Sequence, residues 1–279
     1  MIRSFKQILE RAQDRGRKKL AVPASQSRRV SQLLEESEKI GLIRPILIGE
    51  DRSDRSMDTL DEAVTTVKTG KADILFQGDA PMKDFISVMT AKKTGLAERE
   101  SLSYVSLFEL PSENKLIMLT DTLIQTFPDI KQKVRILENA IDFAGMLGIE
   151  EPKIAALSIV ELVNFSVPST MDAAVLAKMS ERRQLRAVID GPLDIDCASS
   201  KERSLRKGLT SPVAGQVDIY FLPDIEAGYS IAEVMVFLGK STPAGALIGT
   251  RIPVVLNPRF ETPASLLLNM ALACIRCEE

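Results

Sequence analysis

The sequence predicts an α/β protein of two lobes with mostly parallel sheets, and three observations carry that expectation. Short β-rich runs alternate with helical patterns through most of the chain. Several of those runs are apolar on both faces, as strands covered by helices on both sides must be. At 279 residues the chain also exceeds what one core of ordinary size encloses, which favours two units.

The expected strands span 20–24, 46–49, 73–76, 104–110, 116–120, 154–159, 187–190, 217–222 and 253–256. Between them lie helices with an apolar stripe, Val30, Leu33, Leu34 and Ser37 on one, Ile130, Val134, Leu137 and Ile141 on another. Gly41 with Pro45, and Gly148 with Pro152, each place a left-handed helix stop four residues ahead of a proline that bars further helix. This is one junction used twice, not a domain duplication. The long helix 129–147 ends at the second copy and is expected to carry the chain between lobes. The first lobe is then 1–140 with 259–279, and the second 141–258.

Composition excludes several classes. A formal net charge of −2 gives no reason to expect a nucleic-acid or membrane partner. The basic start, Arg3 to Lys19, is interrupted by Glu10 and Asp14 and reads as an amphipathic surface helix, with no apolar targeting core behind it. The apolar run 266–275 is broken by Asn269 and is too short to span a bilayer. Three cysteines form no paired framework, which fits a reducing, cytoplasmic setting, and Cys274-x-x-Cys277 at helical spacing reads as structural. The chain has no histidine, so Ser-His and Cys-His nucleophilic catalysis are excluded, and carboxylates, hydroxyls, Lys, Arg, Cys or Tyr must do the chemistry.

Ligands of open parallel sheets bind beyond the carboxyl ends of the strands. Four segments have that form. In SIVELVNFSVPSTMD at 158–172, Ser169 reads as a helix N-cap with Asp172 in the box position. A free helix start of this kind also suits a phosphate. In DGPLDID at 190–196, three aspartates fit hard-metal ligation or, more commonly, loop bonding, and no metal is expected. In PDIEAGY at 223–229, acidic groups would repel phosphate and so should orient other groups or take a proton; Ser230 then caps a helix with Glu233. In Asn257-Pro258-Arg259 an arginine presents a planar fork for phosphate, or is simply a solvated charge. Gly239-Lys240-Ser241 mimics the end of a P-loop, but Val234 stands where its first glycine must be, and no dinucleotide glycine fingerprint follows a strand.

Taken together these segments resemble the phosphate acetyltransferase and phosphate butyryltransferase family, the butyryl branch more closely. The likeness is carried by LTD at 119–121, the helix at 128–158, PSTMDAA at 168–174, DGPL at 190–193, SPVAG at 211–215 and PDIEAG at 223–228. The resemblance implies two α/β lobes like those of isopropylmalate dehydrogenases, with the active site in the cleft between them. It implies a dimer, no cofactor beyond coenzyme A as substrate, and the reaction of acyl-CoA with phosphate to give acyl phosphate and CoA. It assigns Arg259, Ser169 and Thr170 to phosphate, Asp190 and Asp224 beside Arg259 to catalysis, and Asn164, Ser211, Gly228 and Tyr229 to the substrate. The chain departs from the family at Pro258, where Ser is usual, at Tyr229, where Asn is usual, at Asp79-Ala80-Pro81-Met82, and at Ser265, where the acetyl branch has a catalytic Asp. An active acyltransferase for short or branched chains is the expectation. The alternatives are a non-catalytic acyl-CoA or acyl-phosphate binder and a metal- and NAD-dependent dehydrogenase on the related fold.

Overall fold

The computed structural model describes residues 1–23, 27–49, 57–91, 94–98, 101–110, 113–258 and 261–277. The chain divides into two compact units, one of Met1–Arg3 with Ser103–Ser241 and one of Ser4–Leu102 with Thr242–Glu279.

The second of these begins with α1 (Phe5–Asp14), β1 (Lys18–Pro23), α2 (Arg28–Lys39), β2 (Ile43–Ile48), α3 (Met57–Lys68), β3 (Ile74–Phe76) and α4 (Met82–Thr90). Ser4 caps α1 by accepting from the Gln7 N–H, and α2 buries the Val30, Leu33, Leu34 and Ser37 stripe that its spacing predicts. Pro45 lies inside β2, which starts earlier than expected. An edge strand tolerates proline because it has no ladder to supply on its open side.

The other unit follows with β4 (Ser103–Leu110), β5 (Lys115–Thr120), α5 (Ile130–Met146), β6 (Lys153–Leu157), α6 (Pro168–Glu181), β7 (Val188–Leu193), α7 (Ile195–Ser199), α8 (Lys201–Arg206), β8 (Ile219–Phe221) and α9 (Ile225–Glu233). A π turn over Val234–Leu238 ends α9. The chain then returns to the other unit with β9 (Pro243–Ile248), β10 (Val254–Val255) and α10 (Pro263–Arg276).

Both units are built on parallel strands. In one, β10, β3, β1 and β2 lie side by side, all parallel. In the other the order is β7-β6-β8-β5-β4, parallel except for the β4–β5 pair, which is an antiparallel hairpin. That hairpin explains why the contact boundary falls at 103 and 241 instead of 140 and 258. Because β5 pairs with β8, residues from 103 onward are tied to the later strands.

The α5 helix is capped by Asp129, which shares a box with Gln132, but its buried face is rotated from the expected stripe. Leu137 and Ile141 are buried, while Ile130 and Val134 are only half-buried; Lys133 and Asn139 fill the face instead. Polar groups with internal partners replace apolar ones there: the Asn139 amide donates to the Ser103 hydroxyl (2.9 Å). The β9 strand has no counterpart among the expected strands. Its segment, PAGALI, carries proline and glycine, which interrupt the apolar β-branched run that marks a strand, and it packs on α10. There the Gly245 N–H donates to Asn269 of α10 (2.6 Å). Asn269 is the residue that breaks the apolar run, and α10 is buried on nearly every side against α1, α2 and β9. Among the described residues no helix is long and apolar enough to cross a membrane. Burial pushes the thiols of Cys274 and Cys277 on α10 up to about 12, so both stay protonated and inert.

Candidate active site

Because β7, β6, β8 and β5 are parallel, their carboxyl ends open on one edge of the sheet, where such sheets take ligands. The chain leaves that edge at Asp121, Ser158, Asp194 and Leu222.

The β6–α6 connection holds most of the expected phosphate groups. The Ser158 and Ser169 hydroxyls are 2.8 Å apart, and the Ser158 N–H donates to the Leu193 carbonyl (2.8 Å), tying this loop to the end of β7. The helix starts two residues earlier than its sequence suggested. Pro168 takes the first helical position and Val167 the cap, so Ser169 is not the N-cap and Asp172 closes no box. Proline has no N–H to lose at that position and its fixed φ begins a helix, which outweighs the serine that follows it. Thr170 is buried, and its hydroxyl accepts from the Asn164 N–H (2.9 Å) while facing the carbonyls of Val167 (2.7 Å) and Asn164 (3.0 Å). Thr170 therefore fastens the 164–167 loop. Asn164 is exposed, and its side-chain oxygen accepts from the Ser166 N–H (2.9 Å).

The β5 and β8 loops are stitched together. The Leu222 N–H donates to the Thr120 carbonyl (2.8 Å), and the Ile225 N–H to the Thr126 carbonyl (3.2 Å). Asp121, joined to Thr120 by a cis peptide, is almost fully buried and accepts from the N–H groups of Leu123 (2.8 Å), Ile124 (3.0 Å) and Gln125 (3.2 Å). Burial pushes its carboxyl up to about 6 against the opposing pull of those donors. Gly228 packs on this turn: a Cβ there would lie 2.1 Å from the Asp121 carbonyl oxygen. Asp224 is the N-cap of α9 and accepts from the Ala227 N–H (2.9 Å) through Oδ1. The helix thus begins six residues before the expected Ser230, which lies exposed inside it; the acidic loop is itself the cap. Tyr229 follows, half-buried.

Asp190 and Gly191 lie within β7, which runs on to Leu193 where a turn was expected. The Gly191–Pro192 bond is cis, and a side chain at Gly191 would meet the Ala156 carbonyl at 2.5 Å, so only glycine admits this approach of β7 to β6. Asp190 is half-buried and accepts from the Gly191 N–H through Oδ1 (2.9 Å). Among the described residues, Oδ2 of Asp190 and of Asp224 has no hydrogen-bond partner. Asp194 caps α7, and Asp196 pairs with Arg203 (2.6 Å). Ser211 holds the SPVAG turn by accepting from the N–H groups of Val213 and Ala214, both at 3.3 Å.

Three features escaped the sequence. The Lys133 ammonium is buried and bonds Asp172 (2.6 Å), one turn along α6 from Ser169. Lys207 bonds both Glu161 and Asp194 at 2.6 Å, which pins the β6–α6 loop to the start of α7 and pulls the Asp194 carboxyl down to about 2 even against its partial burial. Cys197 lies against the same carboxylates, and burial pushes its thiol up to about 12.

The third lies in the other unit. There the Asn257 N–H donates to Gln77 (2.8 Å) and its side-chain amide to the Gly78 carbonyl (3.0 Å), beyond the carboxyl ends of β10 and β3. Arg29, in the first turn of α2, donates to the Glu261 carbonyl (2.5 Å). Among the described residues, the Arg29 Nε and the Asn257 Oδ1 are buried without hydrogen-bond partners. A signal for Arg29 was present: Arg28-Arg29 places two cations at a helix start, the end where the dipole disfavours them unless an anion is to be met. Arg259 lies outside the described residues.

Parallel α/β units with hydroxyls and acids along a strand-end edge are the architecture of an enzyme acting on a small substrate. The sequence pattern of the phosphate acetyl/butaryl transferases matches residues 52–274. The chain belongs to that family. It is 35% identical to the phosphate butyryltransferase of Clostridium acetobutylicum, over 99% of this chain and 98% of that protein. It is 33% identical to a phosphate acetyltransferase of Rhizobium meliloti, over 86% and 83% of the two chains. The crystal structure of a branched-chain phosphotransacylase from Enterococcus faecalis superposes with a TM-score of 0.82 at 27% identity, covering 94% of this chain and 99% of that one.

Proposed function

We propose that the chain transfers a short or branched acyl group between coenzyme A and phosphate, with no other cofactor, as a homodimer. The observation that carries this reading is the end-to-end similarity to a phosphate butyryltransferase, with the likeness to a branched-chain phosphotransacylase structure in support. In the direction of acyl-CoA synthesis, the CoA thiolate attacks the acyl-phosphate carbonyl. The new C–S bond forms as the C–O bond to phosphate breaks, and phosphate departs with the electron pair. No protein nucleophile is needed, which suits a chain without histidine. Asp224 and Asp190, each with an unengaged carboxylate oxygen, are the proposed proton acceptors for the thiol. The Ser158–Ser169 hydroxyl pair supplies polar contact to phosphate oxygens. Arg259 is the proposed principal phosphate ligand, and Asn164, Gly228, Tyr229 and Ser211 shape the substrate region.

The test is phosphate-dependent release of thiol from a series of acyl-CoAs, with and without EDTA. Butyryl-CoA or a branched analogue should react faster than acetyl-CoA, and EDTA should change nothing. Measurable CoA binding with rates equal to a boiled control would favour a non-catalytic binder instead.

Arg259→Lys should keep part of the rate and Arg259→Ala should lose about 2–4 kcal/mol of transition-state stabilisation, since lysine keeps the charge but not the bidentate fork. A phosphate dependence left unchanged in folded Arg259→Ala would remove this residue from the site.

A further inference from the structure

The amino ends of the parallel strands, opposite the edge described above, enclose a cavity of about 350 Å³ within the same unit. Lys115 opens β5 and Lys153 opens β6, while the segment Met1–Arg3 closes the side. That segment is docked: the Ile2 N–H donates to the Leu147 carbonyl (2.8 Å), and Met1 backbone atoms lie 2.9 Å from where a side chain on Gly148 would begin.

The lining mixes two chemistries. Its aliphatic part is Ile2 with the buried Leu116 and Ile149. Its charged part is Arg3, Lys115, Lys153, Glu113 and Asp218, and the pairing there is uneven. Lys115 is neutralised by Asp218 at 2.9 Å, and the other oxygen of Asp218 accepts the Lys153 backbone N–H (2.8 Å). Among the described residues, the Lys153 ammonium, half-buried, bonds only the neutral side-chain oxygen of Gln216. The remaining carboxylate on the rim, Glu113, is exposed and forms no ion pair among the described residues. With Arg3, Lys115 and Lys153 against Glu113 and Asp218, cations outnumber acids on a lining that is partly aliphatic, which is complementary to a ligand with a negative head and a short apolar body.

We propose that this cavity is a second binding site, for a short or branched aliphatic carboxylate, with Lys153 as the anion-binding residue. It stands on these lining groups alone and not on the reaction read from the opposite edge.

Saturation-transfer NMR of isovalerate on the full chain tests it, with isoamylamine as a probe of the same aliphatic body and opposite charge. Isovalerate should bind saturably, isoamylamine should not, and saturating CoA should leave isovalerate bound. A charge-assisted hydrogen bond contributes ~1.5–3 kcal/mol, so Lys153→Met should weaken isovalerate about tenfold or more. Lys153→Arg, which keeps a cation at the same place, should stay within about threefold by the same reasoning. The backbone bond from Lys153 to Asp218 survives both changes, and unchanged circular dichroism confirms the fold. The proposal is overturned if isovalerate shows no saturable binding, is displaced by CoA, or binds equally well to the Lys153→Met protein.

Discussion

Asp172→Leu is expected to destabilise the fold by about 3–5 kcal/mol, because it strands the Lys133 ammonium without its acid in the interior. The two partners are not equivalent. The Lys133 side chain is 7% exposed and the Asp172 side chain 31%, so the lysine depends on its partner far more than the aspartate does. Lys133→Met leaves a carboxylate that water reaches and should cost about 1 kcal/mol or less, in line with a partly exposed pair. The double replacement Lys133→Met with Asp172→Leu should recover most of the loss, as apolar isosteres commonly do in place of a buried pair. Urea unfolding of the four proteins closes a double-mutant cycle. Equal losses from the two single changes would show that burial does not set the asymmetry. Ser169 lies one turn before Asp172 on α6, so the single aspartate variant should also lose turnover.

The second large effect is expected at Gly228. A methyl group there would have to enter within 2.1 Å of the Asp121 carbonyl oxygen, a backbone atom with no rotamer to yield. Gly228→Ala should therefore cost about 3 kcal/mol, at the upper end of overpacking losses, and reduce turnover, because the turn it displaces is joined to the Asp224-capped start of α9. Gly145→Ala, inside α5 with nothing within 4 Å, is the contrast. Replacing a glycine that holds helical geometry in the last turn should stabilise by about 0.5 kcal/mol. Thermal unfolding distinguishes the two, and a Gly228→Ala protein as stable as its parent would show that the β5 and β8 loops are not locked together.

Among the described residues, periodicity disclosed every strand but one to within a few residues, because burial on both faces leaves an apolar run. It failed at β9, where proline and glycine hide a strand that α10 holds in place. The site was legible as segments and much less as individual roles. Ser169 and Ser230 both suit N-caps, but Pro168 begins α6 with Val167 at its cap and Asp224 caps α9, each nearer the chain's exit from the sheet. Asp121 was within a recognised motif, yet its burial and three backbone donors depend on how the chain turns after β5. Lys133 and Lys207 were unreadable for a simpler reason: a lysine's partner 39 or 46 residues away leaves no local trace.

The division of the chain has a consequence for biogenesis. One unit is nearly continuous, 103–241, whereas the other is assembled from 4–102 and 242–279. As the polypeptide leaves the ribosome, the first half of that split unit emerges early with β3 lacking β10, and with α1 and α2 lacking α10. It must wait through the synthesis of the whole intervening unit before its sheet and core are complete. The continuous unit closes on its own contacts, and its closure shortens the effective loop that the late strand and helix must bridge. The open flank of β3 is thus exposed to other nascent chains for the length of that delay, and it is there that chaperone attention during synthesis should concentrate.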